Sequence, residues 1–178
     1  SETSKAFADY AGHMAARLTD RVKSIFTINE AGRFVTFGYG LGIDAPGLKL
    51  PDADVNQVRH HVALAHGLAV QAIRARGRAG TKVGPAENLA TCVPAFDSPD
   101  HVRAAEIATR ELNSGFLGVI LEGKYTDGFL QYAGRNAPKF TADELKIISS
   151  PNDFVGLNIY APQFYIAASD KAPGWKML

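Results

Sequence analysis

Apolar side chains recur at three- and four-residue spacing near the start of the chain, where Phe7, Tyr10, Ala11, Met14 and Leu18 fall on one helical face. The spacing predicts a helix over 4–18, capped by Thr3 or Ser4 and broken at Thr19-Asp20. Residues 21–28 then read as a buried strand. A longer helix is predicted over 54–76, with Val58, His61, Val62, Ala65, His66, Ala69, Val70, Ala72 and Ile73 forming a broad apolar face. Arg74, Arg76 and Arg78 place positive charge at its C-terminal end, where the helix dipole favours it. Gly77 and Gly80 stop it. Residues 81–89 read as a second strand, although Pro85 cannot donate to a ladder.

A turn-rich stretch over 94–99 leads to a third long helix over 100–116, with Val102, Ala105, Ile107, Ala108 and Leu112 inward. A short helix follows over 140–149. There Thr141 with Glu144 three residues on makes a capping-box pattern. Residues 153–160 read as a third strand. The glycine- and proline-dense stretch over 34–51 reads as a structured loop that begins in a short helix or turn. Strands separated by helical crossovers predict an α/β fold with a parallel sheet.

In such a sheet, chemistry is placed at the carboxyl ends of the strands. Two of the three predicted strands end in polar side chains. Thr27-Ile28-Asn29-Glu30 closes the first, and a functional carboxylate there competes with a surface Glu that merely opens the next loop. Asn158 and Tyr160 close the third, two apart and so on one face.

The remaining features narrow the class. The 178 residues are 46% hydrophobic, enough for a sizeable core and expected to form one domain over 1–178. Net charge is +1 with Lys and Arg dispersed, which argues against nucleic acid as a partner. No run approaches ~18 apolar residues, so no membrane span is expected. The single Cys92 excludes an internal disulfide framework and fits a reducing compartment, hence a cytoplasmic expectation; a removed export signal would leave the same sequence. His61 and His66 stand five apart, not the four that puts two ligands on one helical face, so no metal or cofactor is expected. Gly38, Gly40 and Gly42 lack the Lys and Ser/Thr of a phosphate loop. Trp175 reads either as an aromatic platform for a ligand or as a packing anchor.

Taken in order, several segments resemble one family. They are Phe7-Ala8-Asp9-Tyr10-Ala11 with Asp20-Arg21-Val22-Lys23, Thr27-Ile28-Asn29-Glu30, and Gly38-Tyr39 through Ala45-Pro46-Gly47. His60 through Gly67, Val83-Gly84 with Asn88, and Asp153 through Tyr160 continue the series. The chain resembles the middle of a glycoside hydrolase family 1 enzyme, the β-glucosidase family. The resemblance implies part of a (β/α)8 TIM barrel, covering roughly its fourth to sixth strands, and hydrolysis of terminal β-linked glucosides with retention. It implies Glu30 as general acid/base, Asn29 on the sugar 2-hydroxyl, Tyr160 on the nucleophilic carboxylate, and Asn158 lining the same pocket.

Two local departures stand out. The family usually has Pro after the acid/base Glu and this chain has Ala31; it often has Tyr where this chain has Ile159. The family's opening strands, and the seventh strand with the nucleophile in a Glu-Asn-Gly motif, have no counterpart here. Gly174-Trp175-Lys176 resembles the approach to that region. Glu87-Asn88 is superficially a Glu-Asn pair, but its context matches the fifth strand, while Asp100, Glu106 and Glu111 are placed on helical surfaces and Glu144 in a cap. The expectation is therefore a central fragment, inactive alone, with exposed sheet edges that favour self-association or complementation by the missing barrel segments. The alternative is a non-catalytic sugar-binding or assembly module derived from such a barrel.

Overall fold

The computed structural model describes residues 1–162 and 164–178. Helix α1 (Glu2–Leu18) starts earlier than its apolar spacing predicts because Ser1 is the cap, its hydroxyl accepting from the Ser4 N–H at 3.3 Å. Ser4 turns inward instead and donates its hydroxyl to the His61 carbonyl at 2.8 Å. Three parallel strands follow in the order β1 (Ser24–Asn29), β2 (Lys82–Asn88), β4 (Gly156–Asn158). Helix α3 (Asp52–Arg76) makes the crossover from β1 to β2. One core lies between α1, α3 and these strands, built from Ala11, Ala15, Ala69, Val70, Ile73 and Val83. A second joins Ala31, Ala63 and Leu64 to Phe116, Tyr125 and Ile148.

The third strand is shorter than expected for a physical reason. Asp153 takes a strand-like place beside β2 with its side chain as well as its backbone. Its N–H donates to the Val83 carbonyl at 2.9 Å, and its carboxylate accepts from the Val83 N–H at 2.8 Å and from Arg74 at 3.0 Å. Regular pairing begins only at Gly156 and ends at Asn158, so Tyr160 lies beyond the strand predicted to carry it.

Helix α4 (Pro99–Leu112) also departs from expectation. It buries Ala104, Ala105 and Ala108, whereas Val102, Ile107 and Leu112 are 38%, 40% and 37% exposed. The face is set by small residues because a sheet lies close against it. That sheet was not foreseen: β3 (Cys92–Pro94) runs parallel to β5 (Phe164–Ala168), which pairs antiparallel with β6 (Trp175–Met177). Ile166, Phe164 and Trp175 pack on the α4 alanines, which makes Trp175 an anchor. The predicted helix over 100–116 stops at Leu112. Asn113 there donates to the Thr109 and Ala90 carbonyls and accepts from the Ala90 N–H, and a wide π-type turn follows over Ser114–Gly118. Short helices α5 (Val119–Glu122), α6 (Asp127–Ala133) and α7 (Ala142–Ile148) complete the chain. The capping box is present in α7: the Thr141 hydroxyl accepts from the Glu144 N–H, and the Glu144 carboxylate accepts from the Thr141 N–H.

The helix histidines are packed. His60 lies 2.9 Å from the Tyr125 hydroxyl through Nδ1, with Nε2 3.6 Å from the Glu144 carboxylate. His66 places Nδ1 2.7 Å from the Thr27 hydroxyl, and its burial pushes its pKa down to about 4.

Two predictions follow from this packing. The His66 imidazole resists protonation when folded, and a free imidazole titrates near 6.5. Between those values the unfolded chain binds more protons. The contribution to stability is thus complete above pH 6.5 and is lost as pH falls towards 4, to about 3 kcal/mol at most. Urea midpoints should fall across that window, and the His66 ring resonances should titrate below it; titration near 6.5 would contradict this. A Cβ at Gly67 would overlap the Ile147 carbonyl where α7 crosses α3. Gly67→Ala should therefore cost about 2 kcal/mol or more by urea denaturation, against the small gain Ala brings to an open helix position.

Candidate active site

The site is built where β1 stops. Asn29 is the last ladder residue, and the Glu30 N–H still donates to the Ala86 carbonyl of β2 at 2.9 Å. The chain then turns sharply. Glu30 has φ 51° and ψ 53°, the only positive φ at a non-glycine among the described residues. A left-handed residue with a side chain stores backbone strain of about 1–3 kcal/mol. Helix α2 (Ala31–Phe34) begins immediately after it, and a π-type turn over Val35–Gly40 extends it. Gly38 belongs to this turn because a Cβ there would stand 2.6 Å from the Ala45 carbonyl oxygen.

In this conformation Glu30 does not cap the helix it precedes. The cap comes from the neighbouring strand. The Glu87 carboxylate accepts from the Ala31 N–H at 2.9 Å and from the Gly32 N–H at 3.1 Å. Glu87 is only 4% exposed, and burial raises its pKa. The backbone N–H groups of Gly32, Ala31 and Asn88 oppose that rise, and the Glu30 charge adds to it.

The Glu30 side chain is thereby free to meet β4. Its carboxylate accepts from the Asn158 amide at 2.8 Å, and the same amide nitrogen donates to the Asn29 side-chain carbonyl at 3.0 Å. One NH2 group carries two donors, so both bonds are satisfied. Asn88 stands in register with Asn158, at the same level of the sheet. Asn29 is exposed, while Glu30 and Asn158 are half-buried. A cleft of about 550 Å³ opens beside Asn29, lined among others by Thr27, Phe34, Tyr39, Val58 and His61. A larger cleft of about 740 Å³ lies elsewhere, among Asp100, Arg103, Lys171 and Lys176, and contains none of these residues.

Asn29, Glu30 and Asn158 therefore come together as three parts of one hydrogen-bonded group. Tyr160 does not join it: it stands two residues past β4 and is 80% exposed. Glu87 is the residue that sequence reasoning set aside. Its one visible signal is a carboxylate that follows the apolar part of the strand, at the position just before its polar end. Among the described residues no three His, Cys, Asp or Glu side chains are placed to hold a metal ion. No described helix is long and apolar enough to cross a membrane. Chemically, the group offers a half-buried carboxyl that can exchange a proton with a bound molecule. Beside it, exposed amide functions can hold hydroxyl groups.

Comparison with known proteins gives the same direction. The model for glycosyl hydrolase family 1 matches residues 1–175. A β-glucosidase from Agrobacterium sp. is 34% identical over 97% of this chain and 37% of its own length. Myrosinase 1 from Arabidopsis thaliana is 34% identical over 89% of this chain and 32% of its own. Among solved structures, a family 1 β-glucosidase from Thermotoga maritima superposes with a TM-score of 0.80 at 27% identity, covering 99% of this chain and 39% of that one. The virulence factor SghA from Agrobacterium tumefaciens does so with a TM-score of 0.82 at 32% identity, again over 99% and 39%. SghA has also been solved with its substrate analogue salicin. The chain thus spans well under half the length of the relatives it matches. The ordered motifs, the parallel β1-β2-β4 wall and the polar group at its strand ends agree with these matches: the chain belongs to glycosyl hydrolase family 1 and forms part of that family's TIM barrel.

Proposed function

We propose that this chain carries the proton-transfer half of a retaining β-glucosidase, with Glu30 as general acid and then general base. The observation that supports it most directly is the Glu30 carboxylate 2.8 Å from the Asn158 amide at the carboxyl end of a parallel sheet. Retaining hydrolysis needs two carboxyl groups about 5–5.5 Å apart. In this reading Glu30 protonates the departing glycosidic oxygen, while a second carboxylate attacks the anomeric carbon and forms a glycosyl-enzyme. Glu30 then removes a proton from water, which displaces the sugar with a second inversion. Asn29 is exposed beside Glu30 and holds the sugar 2-hydroxyl. Asn158 keeps the Glu30 carboxyl in place, and Tyr160 is left for the attacking carboxylate.

Glu87 does not serve as the attacker, because both its oxygens accept backbone N–H groups and it is closed to solvent. The attacker accordingly comes from the part of the family's barrel that lies outside these residues. Among the described residues, the outer strands β1 and β4 each pair along one edge only within their sheet. Their other edges are where further barrel strands, or another copy of the chain, would add. Substrates are β-glucosides. Kinship with a β-glucosidase and the salicin complex of SghA support that class.

Two experiments test the reading. In the complete protein, Glu30→Gln should slow hydrolysis of an alkyl β-glucoside about 10²–10⁴-fold. An aryl β-glucoside with a strongly acidic phenol needs little protonation and should be slowed far less; equal slowing of both in kcat/KM would argue against an acid role. Residues 1–178 produced alone should release no phenol from the aryl substrate and should self-associate in light scattering. Substantial turnover by a monodisperse monomer would contradict both expectations.

A further inference from the structure

The Glu87 carboxylate lies beneath the site, buried one residue before the end of β2, and the reaction above gives it no task. Its two oxygens divide between the first two amides of α2, at 2.9 Å from Ala31 and 3.1 Å from Gly32. Those amides belong to the residues directly after Glu30. On the other side of Glu30, its own N–H is held by the Ala86 carbonyl at 2.9 Å. Consecutive residues of β2 therefore grip the chain just before and just after the left-handed turn at residue 30. Release of the second grip would let the backbone relax into the ordinary right-handed or extended region. A swing of that peptide would carry the Glu30 carboxyl off the Asn158 amide.

The surroundings fit this role. Ala31 is fully buried in the core cluster with Ala63 and Leu64, so its N–H has no access to water and needs an internal acceptor. Gly32 leaves room for the carboxylate: a Cβ there would stand 3.2 Å from the Glu87 oxygen. Ala31 keeps the N–H that Glu87 accepts, so the two form a matched donor and acceptor at that step.

We propose that Glu87 is a positioning residue: by accepting the Ala31 and Gly32 N–H groups it fixes the left-handed turn at Glu30 and so aims the Glu30 carboxyl at the glycosidic oxygen. This rests on the reading of Glu30 as proton donor. Glu87 itself touches no substrate. Its removal should therefore degrade proton transfer rather than sugar binding.

The test uses the complete protein with Glu87→Ala and Glu87→Gln, assayed on the alkyl and the acidic-phenol aryl β-glucosides. Glu87→Ala should lower kcat on the alkyl substrate at least about 10-fold more than on the aryl one, with KM for the aryl substrate held within about twofold. Glu87→Gln keeps one acceptor oxygen and should fall between Ala and the parent. Hydrogen exchange of the Ala31 and Gly32 amides should quicken in the same order, while amides of α3 keep their protection and show the fold intact. Equal slowing on both substrates, or unchanged kinetics with quickened exchange, would overturn the positioning role. A parent that shows the leaving-group signature with Glu30→Gln but not with Glu87→Ala refutes only the role of Glu87. A parent that cleaves neither substrate refutes the glycosidase reading, and the positioning role with it.

Discussion

The close approach of three parallel backbones is the constraint on which the site depends. Glu30 and Asn158 are 128 residues apart, yet they share a 2.8 Å hydrogen bond because β1, β2 and β4 lie edge to edge. Two glycines permit it. A Cβ at Gly84 would overlap the Phe154 carbonyl, and one at Gly156 would stand 2.6 Å from the Phe26 ring. The Phe26 and Phe154 rings meet edge-on at 5.1 Å over that gap, which fixes how far the chain entering β4 can slide along β2. Register follows: Ala86 pairs with Gly156 and Asn88 with Asn158, so the polar ends finish level. A slip of one residue would turn Asn158 to the opposite face and dissolve the group.

The second requirement is local and opposes backbone preference. A left-handed Glu costs about 1–3 kcal/mol. A hydrogen bond to a charged acceptor contributes about 1.5–3 kcal/mol net, so the two that Glu87 accepts are of the right size to hold the turn. Burying the carboxylate works against this, and the raised pKa of Glu87 records that burial outweighs its amide donors for the charged form. The arrangement holds because both Glu87 oxygens and both amides find partners in one another. Removal of the carboxylate alone would leave two amides, one fully buried, without acceptors.

Much of this was legible in the sequence, for reasons that can be assigned. Helices α1 and α3 carry long apolar periods, and the α7 capping box is a local signal between Thr141 and Glu144 that tertiary context did not disturb. Glu30, Asn29 and Asn158 were visible because polar residues closing an apolar run mark a strand end. The sheet of β3, β5 and β6 was invisible: two of its strands have three residues, too few to show a period of two. The inward face of α4 was misjudged because alanines contact that sheet while larger apolar residues face outward, which inverts the usual size rule. The start of β4 was misjudged because Asp153 uses its side chain to imitate backbone pairing, a substitution that hydropathy does not encode.

Stability and chemistry occupy different levels of the same sheet, its packed body and its strand ends. On the helix side, His66 on Thr27 and His60 on Tyr125 are closed to water, and changes there act on folding. At the strand ends, Asn29, Glu30 and Asn158 remain open enough to meet a ligand, and changes there act on the reaction. Most residues belong clearly to one level, because the polar positions are gathered where the strands stop. Glu87 and Asn88 show that division within two residues: Asn88 stands level with Asn158, while Glu87 turns beneath α2. Yet Glu87 reaches around the end of β1 through the amides of Ala31 and Gly32. It is therefore the point at which the packed level dictates the geometry of the reactive one. Rigidity at the acid is inherited from the core through a turn that Glu30 cannot hold with its own side chain, since that side chain is already committed to Asn158.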